Sequence, residues 1–252
     1  MFDAIILAGG ENSKKLSNCT TESFEALIEI AGRPMVTFVA RALAESKQVD
    51  RIFVLGPADQ LRQCEFPPNT IILDGGTTII DTIRRGMAAL GHARKVLVAT
   101  ADIPLLTAEA VNHFLAQCSH VDAELYYPIV PRDVNERIYP GNKRTYVRLR
   151  AGVFTGGNLF LVCPSIVDQC AQVAEKIIAN RKNPLKLCQM LGWSFVIRFL
   201  MGTLRLRDVE HRVADLLGVS GAVIQSPYPE LGIDVDKPSD LELVRATFSL
   251  RV

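Results

Sequence analysis

Short apolar runs recur along the chain, and most of them stop at a glycine or a proline. A short apolar run followed by turn residues is typical of a buried strand. We therefore predict strands at residues 4–8, 27–30, 51–56, 70–73, 95–100, 124–130 and 222–225. The run at 95–100 is almost continuously apolar, which predicts a central, parallel strand. Pro128 predicts that the strand at 124–130 lies at a sheet edge or carries a bulge.

Between these runs, apolar residues recur at intervals of three or four, the spacing of one face of a helix. The pattern predicts helices with buried faces at residues 35–43, 79–90, 111–118 and 241–248. Pro34 suits the first turn of the first helix, where its missing N–H costs nothing. Thr77 or Thr78, and Thr107, are predicted N-caps because a threonine oxygen can accept from the first free amides. A chain of 252 residues fits one large α/β domain with an inserted segment.

Residues 164–220 follow a helical pattern and are predicted to be a helical insertion within that single domain, residues 1–252. Helices are expected at 185–191 and along an apolar face at 209–217. The segment 193–201 is conspicuously apolar. We expect the insertion to be a core-packed subdomain or a homodimer surface, and nearby arginines leave a helix on a lipid surface as the alternative.

Composition places the chain among ordinary globular proteins. It has 28 basic and 27 acidic residues and 48% hydrophobic residues, so no nucleic-acid partner is expected. The six cysteines form no C-x-x-C pair, which disfavours zinc and redox-pair sites and suits reduced thiols. The start has no basic leader, and no uncharged apolar run reaches the ~18 residues that a bilayer-spanning helix needs. We therefore expect a cytoplasmic protein without an integral membrane segment.

The first strand ends in a glycine pair that is followed by lysines. Gly9 and Gly10 would let backbone N–H groups approach a phosphate or a base closely, and Lys14 and Lys15 could hold phosphate charge. The spacing matches neither G-x-x-x-x-G-K-[ST] nor G-x-G-x-x-G. An ordinary strand-to-helix turn is the alternative. A second glycine pair, within residues 74–78, follows a later strand and carries the same two interpretations.

Aspartates mark two further places in the chain. Asp102 directly follows the predicted central strand, and a carboxylate there lies in the crevice where open α/β sheets bind ligands. An aspartate at a strand end can also simply cap a turn. Near the other end of the chain, Asp234 and Asp236 form a D-x-D pair. Pro238 and Asp240 follow it and are expected to start the last helix.

A basic stretch with two interleaved tyrosines follows the strand at 124–130. It holds Arg132, Arg137, Lys143, Arg144, Arg148 and Arg150. Three interpretations stay open: an RNA-binding surface, a solvated loop, and a pocket for the phosphate of an acceptor substrate. Residues 155–158, T-G-G-N, are predicted at the start of the next strand. Their glycines would let a substrate lie against the backbone, and Asn158 offers both a donor and an acceptor.

Four motifs together resemble the MobA-like and sugar-phosphate nucleotidyltransferase family. They are L-A-G-G with a basic residue shortly after it at 7–14, G-R-P-M at 32–35, D-x-P-L at 102–105 and D-x-D-x-P-x-D-L at 234–241. The resemblance covers residues 3–163 and 221–250 and leaves out the helical insertion. It implies a three-layer α/β/α fold of the nucleotide-diphospho-sugar transferase (GT-A-like) type, with a mixed, mainly parallel sheet.

The resemblance also implies an activity, the transfer of a nucleotidyl group from an NTP to a sugar, polyol or cofactor phosphate with release of pyrophosphate. It implies a Mg²⁺ (or Mn²⁺) cofactor on Asp102, Asp234 and Asp236, and catalytic roles for Lys14, Lys15 and Asp102. The implied nucleotide-binding residues are Leu7, Ala8, Gly9, Gly10, Gly75, Gly76 and Thr77. The implied acceptor-binding residues are Lys143, Arg144, Arg148, Thr155, Gly156, Gly157 and Asn158.

The chain departs from the family pattern at three positions. Glu25 stands where the family usually has a phosphate-binding lysine, Ile79 where it has an arginine, and Asn12 where it has a glycine or serine. Two alternatives therefore stay open. One is a nucleotide-binding or regulatory protein of the same fold that does not catalyse transfer. The other is a nucleotide-sugar glycosyltransferase that would use Asp234 and Asp236.

Overall fold

The computed structural model of the protein describes residues 1–12, 15–91, 94–180 and 190–250. The strands in these ranges are β1 (Phe2–Leu7), β2 (Glu29–Ile30), β3 (Arg33–Pro34), β4 (Val49–Gly56), β5 (Thr70–Asp74), β6 (Val96–Thr100), β7 (Leu125–Pro131), β8 (Val147–Leu149), β9 (Gly152–Gly156), β10 (Leu159–Val162) and β11 (Gly221–Gln225). Except for the β2–β3 ribbon, these strands form one sheet in the order β5-β4-β1-β6-β10-β7-β9-β8, with β11 beside β7.

Seven of the nine strands described in this sheet run in the same direction, and β9 and β10 run opposite to them. Strands β5, β4, β1 and β6 are parallel to one another. Strand β10 is antiparallel to both β6 and β7, so β7 returns to the direction of β6, and β11 runs parallel to it. The prediction of a mixed, mainly parallel sheet is confirmed.

Helices cover both faces of the sheet. They are α1 (Met35–Ala44), α2 (Ala58–Leu61), α3 (Ile79–Leu90), α4 (Ala108–Cys118), α5 (Arg132–Ile138), α6 (Ser165–Asn180), α7 (Trp193–Leu200), α8 (Leu206–Leu217) and α9 (Pro238–Ser249). Along β1, Ala4 and Ile6 pack with α1 and α4, whereas Ile5 packs with Met87 of α3 on the opposite face. The two cores lie on either side of one sheet, which confirms the three-layer α/β/α prediction.

Two of the predicted helix starts carry the expected caps. The Thr78 hydroxyl accepts a hydrogen bond of 3.0 Å from the Asp81 amide, and the Thr107 hydroxyl accepts one of 3.2 Å from the Ala110 amide. Each such cap contributes about 1 kcal/mol. The buried face of α3 differs at one position from the prediction, because Ile79 in its first turn is 48% exposed.

The structure corrects three local predictions. Strand β7 lies inside the sheet and not at an edge. Pro128 lies where the neighbour of β7 changes from β10 to β9, so its missing N–H interrupts the hydrogen bonds with neither of these two strands. The strand predicted at 27–30 is shorter, because a 3₁₀ turn occupies Glu25–Leu27. The T-G-G-N segment ends β9 and links it to β10 instead of starting a strand.

The predicted helical insertion contains α6, α7 and α8. Helix α6 packs against α3, and α8 packs against α6 and β11. Of the helix predicted at 185–191, residues 185–189 lie outside the described residues. Helix α7 leaves Trp193, Ile197 and Leu200 exposed, and the predicted homodimer surface there stays a prediction. No helix within the described ranges is long and apolar enough to cross a bilayer.

Candidate active site

A cleft of about 1320 Å³ opens at the carboxyl ends of β1 and β6. This is the edge at which open α/β sheets bind ligands. The cleft brings together eleven of the predicted site residues, namely Leu7, Ala8, Gly9, Gly10, Lys15, Gly76, Thr77, Asp102, Asn158, Asp234 and Asp236. Lys14 lies outside the described residues. The other predicted site residues do not line the cleft, and their geometry is described below.

The loop after β1 is held from both sides and leaves its glycines open. The Ala8 amide donates to the Leu55 carbonyl at 2.7 Å, and a Cβ at Gly56 would lie 2.6 Å from the Ala8 carbonyl oxygen. Gly9 and Gly10 are exposed, and among the described residues only Gly56 lies within 4 Å of a Cβ placed at Gly9. A ligand can therefore approach this backbone closely.

Asn12, which stands where the family resemblance predicts a glycine or serine, has a structural role. Its side-chain amide donates to the Glu22 carbonyl at 2.7 Å, and its backbone amide donates to the Ser23 carbonyl at 2.8 Å. These bonds fasten the loop to the segment that leads to Glu25. Lys15, three residues on, lines the cleft.

Two amides of the second glycine turn donate to side chains of the helix that follows it. The Gly76 amide donates to the Thr82 hydroxyl and the Thr77 amide donates to the Asp81 carboxylate, both at 2.9 Å. The bond from Thr77 is the main cause that lowers the pKa of Asp81. Gly75 packs against β4, because a Cβ there would lie 3.3 Å from the Gly56 Cα. The amides of Gly76 and Thr77 are thus engaged with α3, and the Gly75 amide donates to the Gly56 carbonyl at 2.9 Å.

Three carboxylates converge in the cleft. One oxygen from each of Asp102, Asp234 and Asp236 lies within 4.8 Å of the others. The Asp102 carbonyl accepts a hydrogen bond of 2.9 Å from the Val235 amide, which joins the end of β6 to the segment before α9. Val235 is fully buried and anchors the D-x-D pair, while the Asp236 amide donates to the Asp240 carboxylate at 3.2 Å.

The electrostatics of this cluster favour a bound cation. Burial raises the pKa of Asp102 to about 7, and the charges of Asp234, Asp236 and Glu25 add to the increase, while a hydrogen bond from Thr100 opposes it. Burial likewise raises the pKa of Asp234 although Arg144 opposes this. A divalent cation would relieve the repulsion, and a set of carboxylate oxygens suits Mg²⁺ or Mn²⁺. The residues therefore fit the predicted metal.

Arg144 contacts one member of this cluster, Asp234. Its guanidinium forms an ion pair with the Asp234 carboxylate and donates to the Asp234 carbonyl at 3.3 Å. The side chain of Arg144 is 11% exposed and that of Asp234 is 17% exposed, so the pair is nearly buried. Arg144 therefore orients Asp234 in this structure, and its predicted contact with an acceptor stays a prediction.

The two other predicted basic residues lie away from the cleft wall. Lys143 accepts a hydrogen bond of 2.8 Å on its carbonyl from the Lys237 ammonium group. The aliphatic part of Arg148 packs at Gly202, at the end of α7, where a Cβ would lie 3.1 Å from it. Neither contact involves a cleft residue, and an acceptor-binding role for these two residues stays a prediction.

The glycines of the T-G-G-N segment make room for protein atoms. A Cβ at Gly156 would overlap the Tyr127 hydroxyl, and one at Gly157 would lie 2.8 Å from the Pro128 side chain. Thr155 is buried. Asn158 lies in the cleft wall, and its backbone amide donates to the Leu231 carbonyl at 2.7 Å. Of this segment, Asn158 is the residue placed to contact a substrate.

Glu25 makes the cleft more acidic. It lines the cleft beside Gly10 and lies close enough to Asp102 to help raise the pKa of that residue. Among the described residues of the cleft wall, five are acidic and one, Lys15, is basic. A nucleotide triphosphate in this cleft would therefore depend on cations for charge balance.

Sequence reasoning missed the apolar part of the wall. Tyr127 and Phe160 lie in it and stack with ring centroids 5.5 Å apart, and burial followed by the charge of Asp234 raises the pKa of Tyr127. Helices α3 and α6 supply further aliphatic side chains. The alternation of Leu125 and Tyr127 along one predicted strand was the signal available for this face.

Comparison with known proteins agrees with this geometry. The model of the MobA-like NTP transferase domain matches residues 4–182. The chain is 28% identical over 145 residues to 2-C-methyl-D-erythritol 4-phosphate cytidylyltransferase of Klebsiella pneumoniae, a match that covers 55% of this chain and 58% of that protein. It is 29% identical over 126 residues to molybdenum cofactor guanylyltransferase of Shewanella piezotolerans, covering 49% of this chain and 58% of that protein. The matches thus span less than two thirds of these relatives.

Solved structures share the whole fold. A hypothetical transferase from Thermus thermophilus is 36% identical with a TM-score of 0.84, and the match covers 95% of this chain and 99% of that one. The 4-diphosphocytidyl-2C-methyl-D-erythritol synthase of Anaerococcus prevotii is 14% identical with a TM-score of 0.60, covering 99% and 96%, which shows a shared fold. Because the family model matches most of the chain, including the glycine loop and Asp102, this protein belongs to the family with a MobA-like NTP transferase domain.

Proposed function

We propose that the protein is a nucleotidyltransferase that moves the nucleotidyl group of an NTP to a phosphorylated small molecule and releases pyrophosphate. The observation that carries this proposal is the convergence of Asp102, Asp234 and Asp236 beside the open glycine loop, in one cleft of about 1320 Å³. The relatives named as a cytidylyltransferase and a guanylyltransferase support the reaction class.

A Mg²⁺ or Mn²⁺ ion is part of the proposal, with Asp102, Asp234 and Asp236 as its protein ligands. When bound, such an ion acts as a Lewis acid that neutralises charge on the nucleotide phosphates. The chain itself would then have two roles, to hold the carboxylates in place and to provide surroundings of low polarity. The Val235 anchor and the Arg144 ion pair keep the carboxylates in place, and the low polarity around Asp102 strengthens each charge interaction.

The chain's own groups would position the reacting phosphates. The exposed backbone at Gly9 and Gly10 can donate N–H groups to the nucleotide, and Lys15 offers an ammonium group to the departing phosphates. An oxygen of the acceptor phosphate attacks the α-phosphorus, the bond from that phosphorus to the bridging oxygen breaks, and pyrophosphate leaves with the electron pair. In-line placement of the two substrates and stabilisation of the developing charge would together supply the rate enhancement.

A specific observation favours one alternative, a nucleotide-binding protein without transferase activity. Glu25 places a carboxylate in the cleft wall where the family resemblance predicts a lysine, and it lies near Asp102. A negative charge there disfavours the phosphates of the nucleotide. This alternative predicts metal-dependent NTP binding without release of pyrophosphate.

A pyrophosphate-release screen tests the proposal. Each of the four NTPs is offered with Mg²⁺ and a panel of sugar, polyol and cofactor phosphates, for the native chain and for Asp102→Asn. Asp122→Asn is the matched control, because Asp122 is fully exposed and lies outside the cleft. We expect release with a particular NTP and acceptor, a loss of about a thousandfold in Asp102→Asn, and no change in the control.

Two results would count against transfer. Calorimetric binding of an NTP without pyrophosphate release, across the whole panel, would favour the binding protein. Transfer from a nucleotide sugar, with no reaction of the NTPs, would favour a glycosyltransferase. Release that survives in Asp102→Asn would remove the carboxylate cluster from the mechanism.

A further inference from the structure

The cleft has a second part that the chemistry of phosphates and metal does not use. It extends from Asn158 over the face of the sheet, beneath helices α3 and α6, and we call it the apolar arm. Its wall is formed by Ile83, Val98, Phe160, Val162, Val167 and Ala174. All six side chains are apolar, whereas the charged residues of the cleft wall belong to the segments after β1 and β6 and before α9.

The sequence builds this arm from two periodicities. Phe160 and Val162 alternate along β10 and so share one face of the sheet, and Phe160 pairs with Val98 of β6. On α6, Val167 and Ala174 are seven residues apart and point to the same side. The wall of the arm follows β10 for four residues beyond Asn158, which corresponds to a length of about 13 Å.

The order of the strands puts the arm on the side opposite the first glycine loop. Strands β1, β4 and β5 lie on one side of β6, and β10 and β7 lie on the other. Tyr127 stands at the entrance of the arm, stacked on Phe160 and near the carboxylate of Asp234. A single ligand can therefore reach the carboxylates with its charged end while its body lies in the arm.

We propose that the acceptor is an amphiphile, a phosphate monoester whose aliphatic body occupies the apolar arm while its phosphate lies beside Asp102, Asp234 and Asp236, with the proposed divalent cation between them. This inference rests on the proposed function for the direction of transfer. The cleft exceeds the ~300–1,000 Å³ typical of a pocket for one small ligand, which leaves room for a nucleotide and such a body together. A polyhydroxylated acceptor would leave its hydroxyl groups without partners against this wall.

The reaction balances without another reactant. One oxygen of the monoester phosphate forms a bond to the α-phosphorus of the NTP, and the bond from that phosphorus to the bridging oxygen breaks. Pyrophosphate leaves with the bonding electron pair. The product is a diphosphate diester with a nucleoside at one end and the aliphatic body at the other.

A chain-length series tests the inference directly. Binding of inorganic phosphate and of butyl, hexyl and octyl phosphate to the full chain is measured by calorimetry with Mg²⁺ present, and the same esters are offered as acceptors in the pyrophosphate assay. Burial of each methylene group should raise the affinity about fourfold until the arm is full. Ala174→Phe fills the arm and should abolish this increase.

The matched control is Ala179→Phe, an exposed alanine on the same helix that does not line the cleft. The increase with chain length should persist in it. Equal affinity of all three esters for the native chain would overturn the inference, and so would an equal increase in Ala174→Phe. Turnover of polar acceptors without any gain from chain length would overturn it while the proposed function stood. Tighter binding with length, without turnover by any NTP, would support the amphiphile and count against transfer.

Discussion

The two sides of the cleft are built in different ways. On the proposed nucleotide side, residues 7–10 present an exposed backbone after β1, beside the turn at 76–78. On the proposed acceptor side, Tyr127 and Phe160 begin a wall of side chains that comes from strands β6, β7 and β10 and from helices α3 and α6. A site made of backbone groups comes from a short contiguous motif and can be found in the sequence. A wall of side chains comes from residues that lie far apart in the sequence.

The same contrast holds for the glycines. Gly9 and Gly10 are exposed in the cleft, whereas the space beside Gly156 and Gly157 is filled by Tyr127 and Pro128. Both pairs look alike in the sequence. A glycine pair therefore marks a close approach, and the structure decides whether a ligand or another part of the chain makes it.

The largest expected effect concerns the carboxylates between the two sides. Because the pKa of Asp102 is raised to about 7, a proton competes with the metal below that pH. We expect the affinity for Mg²⁺, measured by calorimetry, to fall about fiftyfold between pH 7 and pH 5. An affinity that stays constant over this range would contradict a role for Asp102 as a ligand.

The same group predicts the pH dependence of stability in the metal-free protein. A carboxyl with a raised pKa holds its proton more tightly in the folded state, so its stabilising contribution is full at low pH and is lost as the pH rises through 7. The melting temperature of the metal-free chain should therefore fall more steeply from pH 5 to pH 8 than that of Asp102→Asn. Added Mg²⁺ should reduce the fall. Parallel curves for the two chains would contradict the assignment.

The next effect separates two roles of Arg144. Because Arg144 forms a nearly buried ion pair with Asp234, Arg144→Met should lower the free energy of unfolding by about 3 kcal/mol, measured by urea denaturation without metal. The matched control is Arg84→Met, which removes the exposed ion pair with Asp168 and should cost far less. An unchanged stability together with a higher KM for the acceptor would instead place Arg144 on the acceptor.

Sequence reasoning recovered the layers and most strands because they rest on local periodicity. The apolar run before Asp102 and the D-x-D pair before α9 were also visible, and the structure brings their carboxylates together. The ion pair of Arg144 could not be predicted. An arginine in a basic loop is expected to be solvated, and its partner Asp234 lies ninety residues away in the sequence. Likewise, Pro128 predicted a sheet edge. The change of partner from β10 to β9, which accommodates this proline, depends on two strands that lie far from it in the sequence.

A smaller effect tests the acidity of the nucleotide side. Glu25→Lys replaces a negative charge in the cleft wall by the positive charge that the family resemblance predicts, and should tighten NTP binding about tenfold. Glu29→Lys is the matched control, because Glu29 is exposed and lies outside the cleft wall. Binding is measured by calorimetry at low salt. Weaker binding in Glu25→Lys would show that the carboxylate assists the nucleotide, for instance through a cation.

The smallest effect tests whether the T-G-G-N glycines serve packing. A Cβ at Gly156 would overlap the Tyr127 hydroxyl, so Gly156→Ala should lower the free energy of unfolding by about 1–3 kcal/mol. Removal of that hydroxyl in Gly156→Ala/Tyr127→Phe should recover part of the loss, because the next ring atom still lies 2.9 Å from the Cβ position. A double-mutant cycle by urea denaturation measures the coupling. If the two changes were additive and Gly156→Ala raised the KM of the acceptor without loss of stability, the glycine would face a substrate, and the contrast between the two glycine pairs would fail.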